Sequence, residues 1–118
     1  MSGHILGVQG EAAAYKFIKD AGMRPLAKNY KKRSGEIDII ARDKGAIVFI
    51  EVKTRSRDSF GSPEAAVTRF KQRSIVRTAL IYLKENKLLS AKIRFDVIAI
   101  SGENVKHIKN AFDATELL

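Results

Sequence analysis

The stretch Glu36-Ile37-Asp38-Ile39-Ile40-Ala41, then Asp43-Lys44-Gly45, then Ala46-Ile47-Val48-Phe49-Ile50-Glu51-Val52-Lys53-Thr54 decides how this chain is read. Both arms are dense in β-branched and aromatic residues, and the segment between them is a tight-turn signal. Residues 36–41 and 46–54 are therefore predicted to pair as a β-hairpin. The charges inside it are out of place. Asp38 sits among isoleucines, and Glu51 and Lys53 follow an apolar run. Side chains alternate along a strand, so Glu51 and Lys53 share a face. Asp38 joins them if its own strand presents it the same way. Unpaired buried charge is costly, so such residues need partners, a metal or water.

Two carboxylates and a lysine around one point have a definite chemical use. Hard oxygen ligands suit Mg²⁺ or Mn²⁺. A cation there would polarise a phosphate, and the lysine would orient or help deprotonate an attacking water. An ion pair at the sheet rim would account for Glu51 and Lys53 taken alone, with Asp38 on a solvated face. The whole arrangement across a hairpin favours catalysis or its remnant.

Outward from the hairpin, residues 10–21 read as an alanine-rich helix that Gly22 can end. Glu11, Tyr15 and Ile18 fall on one side of it, so Glu11 either points toward the sheet as a further metal or water ligand or simply complements the helix dipole. Residues 23–33 read as an edge-like strand closed by a turn at Ser34-Gly35. A long helix is expected from Pro63 to about Asn86, capped by Ser62, with Ile75, Val76, Ala79 and Leu83 facing the core. Residues 93–100 and 105–108 complete the strands. The order is α-β-β-β-α-β-β in one domain spanning residues 1–118, an α/β fold with a mixed sheet flanked by helices.

The chain has 118 residues with 22 Lys and Arg against 13 acids, a formal net charge of +9. So basic a body favours polyanions, nucleic acid before an anionic membrane surface. Cysteine is absent, which excludes disulfides, thiolate metal sites and cysteine nucleophiles. No signal-peptide pattern and no apolar run long enough to span a bilayer are seen, so a cytoplasmic protein without a membrane partner is expected.

Gly10-Glu11 opening a helix, Asn29, Gly35-Glu36-Ile37-Asp38 and Phe49-Ile50-Glu51-Val52-Lys53-Thr54-Arg55, with Lys71, Arg94-Phe95-Asp96-Val97 and Asn110-Ala111-Phe112, resemble the YraN-like predicted endonucleases. That family is similar to archaeal Holliday-junction resolvases and belongs to the PD-(D/E)xK nuclease superfamily. The resemblance implies a restriction-endonuclease-like αβββαβ core and metal-dependent phosphodiester hydrolysis. It implies metal-binding roles for Asp38 and Glu51, an active-site role for Lys53, and for Glu11 the place of the helix glutamate of the resolvases. Ile37 stands where the motif's name has proline. The resolvase analogy also implies a homodimer and, as substrate, branched DNA.

Positive charge flanks the proposed centre. Lys28, Lys31, Lys32 and Arg33 precede the Asp38 strand, and Arg55 and Arg57 follow Lys53. With Lys71, these are the expected nucleic-acid contacts. Arg69, Arg73 and Arg77 make a stripe on the long helix that reads first as a solvated face. Tyr15, Tyr30, Phe60 and Phe70 could stack on bases, although packing explains most of them, and His4 and His107 lack metal-ligand spacing. The competing reading is a non-catalytic nucleic-acid-binding module that retains the nuclease fold. A third is a subunit whose charge serves an acidic protein partner.

Overall fold

A computed structural model describes the backbone of residues 3–56 and 61–117, and the side chains of residues 9–56 and 61–115. Arg57 and Phe60 lie outside the described residues, and the His4 side chain lies outside the described side chains. Helix α1 runs Gly3–Asp20, followed by strands β1 (Arg24–Lys32), β2 (Gly35–Asp43) and β3 (Ala46–Thr54), helix α2 (Arg69–Glu85), and strands β4 (Lys92–Ser101) and β5 (Asn104–Ile108). The strands form one mixed sheet in the order β1-β2-β3-β4-β5. Only β3 and β4 run parallel, joined through α2, and the other pairs are antiparallel. The α-β-β-β-α-β core is the one expected from sequence, with β5 added at an edge. No helix among the described residues is long and apolar enough to cross a membrane.

The sheet separates two apolar layers. Ile37, Ile40, Ile47, Phe49, Phe95 and Val97 pack with Ile75, Val76 and Leu83 of α2. Ile39, Val48, Ile50, Ile98 and Ile100 pack with Ala14 and Ile18 of α1. Both helices therefore bury the faces expected of them.

Two helix starts differ from expectation. α1 begins at Gly3 rather than Gly10. Gly10 is an interior residue at a close crossing, where a Cβ would lie 2.4 Å from Thr54 Oγ1 of β3. α2 begins at Arg69 rather than Pro63, because the chain first makes a 3₁₀ turn, Glu64–Ala66, and then extends at Val67 (ψ 97). Its cap is Thr68, whose hydroxyl accepts from Lys71 N at 3.1 Å, and not Ser62.

The helix ends follow the predicted chemistry. Gly22 takes φ +89 after α1, with Gly22 N bonded to Lys19 O and Met23 N to Ile18 O, a Schellman closure. The β1–β2 turn is docked on α2 through Ser74 Oγ, which donates to Ser34 O at 2.6 Å. A Cβ on Gly35, at φ +152, would lie 2.0 Å from that hydroxyl. Only glycine fits there, since both the backbone angle and the space exclude a side chain.

The far end of the sheet is held by charge. Asp96, with 0 % exposure, receives two bonds from Arg94, at 2.9 Å each, and one from Asn110 N. His107 Nε2 lies 2.7 Å from its Oδ2. Arg94 also reaches Asp43 at 3.0 Å, tying the β2–β3 turn to β4. Ala111 N bonds Phe95 O, and Phe112 stacks on Phe95 with centroids 5.0 Å apart. His107 is thus a structural partner, as its lack of ligand spacing suggested. Burial works against the Asp96 charge, but the bonds from His107, Arg94 and Asn110 N outweigh it and hold the carboxyl below the usual range. Its contribution to stability is present above the ordinary aspartate pKa and is lost as pH falls through the lowered one.

Asp96→Ala should therefore cost about 1.5–3 kcal/mol in urea unfolding at neutral pH, because it removes the charged acceptor shared by Arg94, His107 and Asn110 N and leaves Arg94 with Asp43 alone. Asp20→Ala removes only the exposed bond to Lys16 and should cost less than about 1 kcal/mol.

Candidate metal and nucleic-acid site

The site forms where the sheet comes apart. β2 and β3 pair from Asp43↔Ala46 to Ile39↔Ile50 and then separate. The β1–β2 register passes from Lys28↔Ile39 to Tyr30↔Ile37, with Asn29 and Asp38 between. Both strands change faces at that step. Lys28 lies over the Tyr15 ring of α1 and Tyr30 against Tyr82 of α2. Ile39 belongs to the α1 layer and Ile37 to the α2 layer. Asn29 absorbs the kink with φ +50, a conformation asparagine tolerates better than most residues. Asp38 replaces the lost ladder bond with its side chain, and Val52 N donates to Asp38 Oδ2 at 2.8 Å.

In this gap Asp38 meets carboxylates from both sides of the sheet. Glu51 follows Ile47 and Phe49 on the α2 side of β3 and lies within hydrogen-bonding reach of Asp38. Glu11, one residue after the Gly10 crossing, reaches Asp38 from α1. Lys71 Nζ, in the first turn of α2, stands 3.6 Å from Glu51 Oε2. Lys53 lies close enough to Glu51 to favour its charge. A cleft of about 230 Å³ opens beside Asp38 and is lined also by Glu11, Lys28 and Asn29.

Glu51 is 7 % exposed. Burial, then its hydrogen bond and repulsion with Asp38, raise its pKa to about 8 against the opposing pull of Lys71 and Lys53. The Glu11 pKa is raised too, first by burial and then by the Asp38 charge. Glu51 Oε2 is buried without a hydrogen-bond partner. The donor set of Asp38, Glu51 and Glu11 is all oxygen, the kind Mg²⁺ and Mn²⁺ take. A buried carboxylate oxygen with no hydrogen bond, only an ion pair to Lys71, beside a second carboxylate fits such an ion. Among the described residues, no three or more acidic, imidazole or thiol groups converge tightly enough to cage a cation by themselves. The contacts run pairwise, Glu11 to Asp38 and Asp38 to Glu51.

The expected basic contacts divide. Lys28 lines the cleft and Lys71 touches Glu51. Lys31 and Arg33 are exposed at the β1–β2 end. Lys32 is bound to Glu85 at 2.9 Å, roughly 20 Å further along α2 than Lys71 at the helical rise, and so is not brought to the centre. Arg55 is held at the end of β3, with Nη1 donating to Gly61 O at 3.0 Å. Sequence reasoning did not identify the part Asn29 plays in the break. Its signal, an asparagine inside a strand, was present.

A family model described as "Uncharacterised protein family UPF0102" matches residues 10–100. A UPF0102 protein of Geotalea daltonii is 49% identical over 113 residues, covering 92% of this chain and 89% of the relative. One of Desulfosudis oleivorans is 48% identical over 110 residues, with coverage of 92% and 89%. One of Lachnoclostridium phytofermentans is 45% identical over 115 residues, with 97% and 98% covered. With a match across most of its length and relatives at this level of identity, the chain belongs to the UPF0102 family.

Proposed function

We propose that this protein is a metal-dependent endonuclease that hydrolyses phosphodiester bonds of nucleic acid, DNA above all. The observation that carries the reading is the buried Glu51 Oε2 next to Asp38 at a break in the sheet, an oxygen with no hydrogen-bond partner and only a 3.6 Å ion pair to Lys71, with Lys53 near it and Lys28 lining the cleft. Asp38 and Glu51 would hold Mg²⁺ or Mn²⁺, and Glu11 would add a ligand directly or through water. The pairwise geometry suits Mg²⁺, which commonly takes one or two carboxylates and leaves its other positions to phosphate and water. The bound ion supplies Lewis-acid charge at the phosphate.

The chain's own residues do the rest. The Val52 amide fixes the Asp38 carboxylate in the gap. Lys53, two residues along the same face as Glu51, holds the attacking water by its ammonium group. Lys71, 3.6 Å from Glu51, is placed where its ammonium could take a phosphate oxygen. Lys28 holds the strand across the cleft. Cutting both strands of a junction needs two such centres, and hence two copies of the chain.

Wild type should nick at least one of linear, flap, nicked or four-way DNA with Mn²⁺, and EDTA should abolish this. Lys53→Ala should lose roughly 10²-fold or more in rate while keeping its affinity for DNA. Binding should weaken with salt at a log–log slope of about −0.9 per phosphate contact on duplex. Salt-sensitive binding with no cleavage of any of these substrates would instead establish the non-catalytic module.

Glu51 provides a second test. A carboxyl whose folded pKa is raised takes up a proton on folding, so its share of stability is full below the unfolded value and is lost as pH rises through the folded one. Glu51→Gln should match wild type near pH 4. It should then gain progressively in metal-free stability as pH rises toward about 8, with the gain level above that. Thermal melts in EDTA across this range would show it, and a constant difference would contradict the assigned environment.

A further inference from the structure

Phe70 is 80 % exposed, the only exposed aromatic side chain among the described residues. It precedes Lys71, whose ammonium touches Glu51, and follows Arg69 in the first turn of α2. Arg73 and Arg77, three and seven residues on, lie on the same outward side of the helix and are exposed. That first turn contains no acid. The other described phenylalanines are packed. Phe49 and Phe95 stack in the core, Phe112 stacks on Phe95, and Phe17 meets His107 edge-on. Phe70 covers nothing comparable, and its neighbours are cations.

A large apolar ring set among guanidinium and ammonium groups is poorly suited to an acidic protein, whose carboxylates would have to desolvate against it. It is well suited to a nucleic-acid strand. The phosphates take the cations and the ring takes the face of a base. A base inside a duplex is already stacked on both sides, so only an unpaired base can use the ring.

We infer that Phe70 is a stacking platform for an unpaired base next to the bond presented at Glu51 and Lys71, so that the site prefers strands with single-stranded or opened character. This rests on the nuclease reading of the site and names its substrate class. Phe70 is a specificity-determining residue that binds substrate away from the reacting atoms.

The test compares wild type, Phe70→Ala and Phe70→Trp binding a single-stranded oligonucleotide and a blunt duplex of the same sequence, in EDTA so that nothing is cut. Phe70→Ala should weaken single-strand binding by about tenfold and leave duplex binding near wild type, with an unchanged melting temperature. The chain has no tryptophan, so Phe70→Trp installs a lone reporter. It should keep wild-type affinity, and the single strand should quench its emission. Equal effects on both substrates, or none on either, would overturn this inference and leave the nuclease reading in place. So would Phe70→Trp emission that shifts with protein concentration in the absence of DNA, which would mark the face as a contact between copies. Failure of wild type to bind either substrate would overturn both.

Discussion

Everything at the candidate site follows from one interrupted ladder. β2 and β3 stop pairing after Ile39↔Ile50, and the Val52 amide, which continued pairing would have served, is taken by the Asp38 carboxylate. A buried amide left unbonded costs free energy comparable to a lost hydrogen bond, so the side chain makes the break tolerable. The break in turn makes the site. In an unbroken sheet, Asp38 would project from one face only and could not meet Glu11 and Glu51 together. With the strands parted, a residue in the gap is open to α1 from one side and to Glu51 from the other.

Two buried carboxylates with opposite fates show what distinguishes structure from site. Asp96 has 0 % exposure, yet Arg94, Asn110 N and His107 satisfy both of its oxygens, and its charge is held. Glu51 is nearly as buried but faces another carboxylate, and one of its oxygens has no hydrogen-bond partner. Burial alone separates neither from the other. The surrounding hydrogen bonds do, because a satisfied network anchors a fold, whereas an unsatisfied one is paid for only if something else binds there.

Much of this was legible in the chain itself. Strands rich in isoleucine and valine announce themselves, and Asp38, Glu51 and Lys53 stand out because charge is foreign to that setting. The faces of both helices could be read from their spacing. What escaped were features that depend on contacts distant in sequence. Gly10 reads as a helix start because glycine is a poor helix former, yet it lies within α1 because Thr54 leaves no room for a Cβ. Pro63 with Ser62 reads as the start of α2, but the chain spends one 3₁₀ turn there and starts again at Thr68. The change of faces at Asn29 and Asp38 is a matter of register between strands, and an asparagine inside a strand is the one trace of it that the sequence carries. Lys32 could not be separated from its basic neighbours, because Glu85 lies 53 residues away.

The placement of positive charge carries the argument one step beyond net charge. Some cations are answered by carboxylates of the fold: Arg94 by Asp43 and Asp96, Lys32 by Glu85, Lys16 by Asp20 and Lys71 by Glu51. The start of α2 adds a conflict with the helix dipole. Arg69 and Lys71 occupy the positive end of the helix dipole, where a cation is unfavourable by a few tenths to about 1 kcal/mol, and no acid shares that turn. Lys71 stands beside Glu51, a carboxyl whose pKa burial and Asp38 push up, so its charge is held less firmly than that of an exposed carboxylate. On the proposed reading, a helix end built against its own dipole, beside carboxyls that suit a divalent cation, would have its electrostatics balanced by a polyanion and that cation together: phosphate would answer the helix end and the lysine, and the cation would answer Asp38 and Glu51.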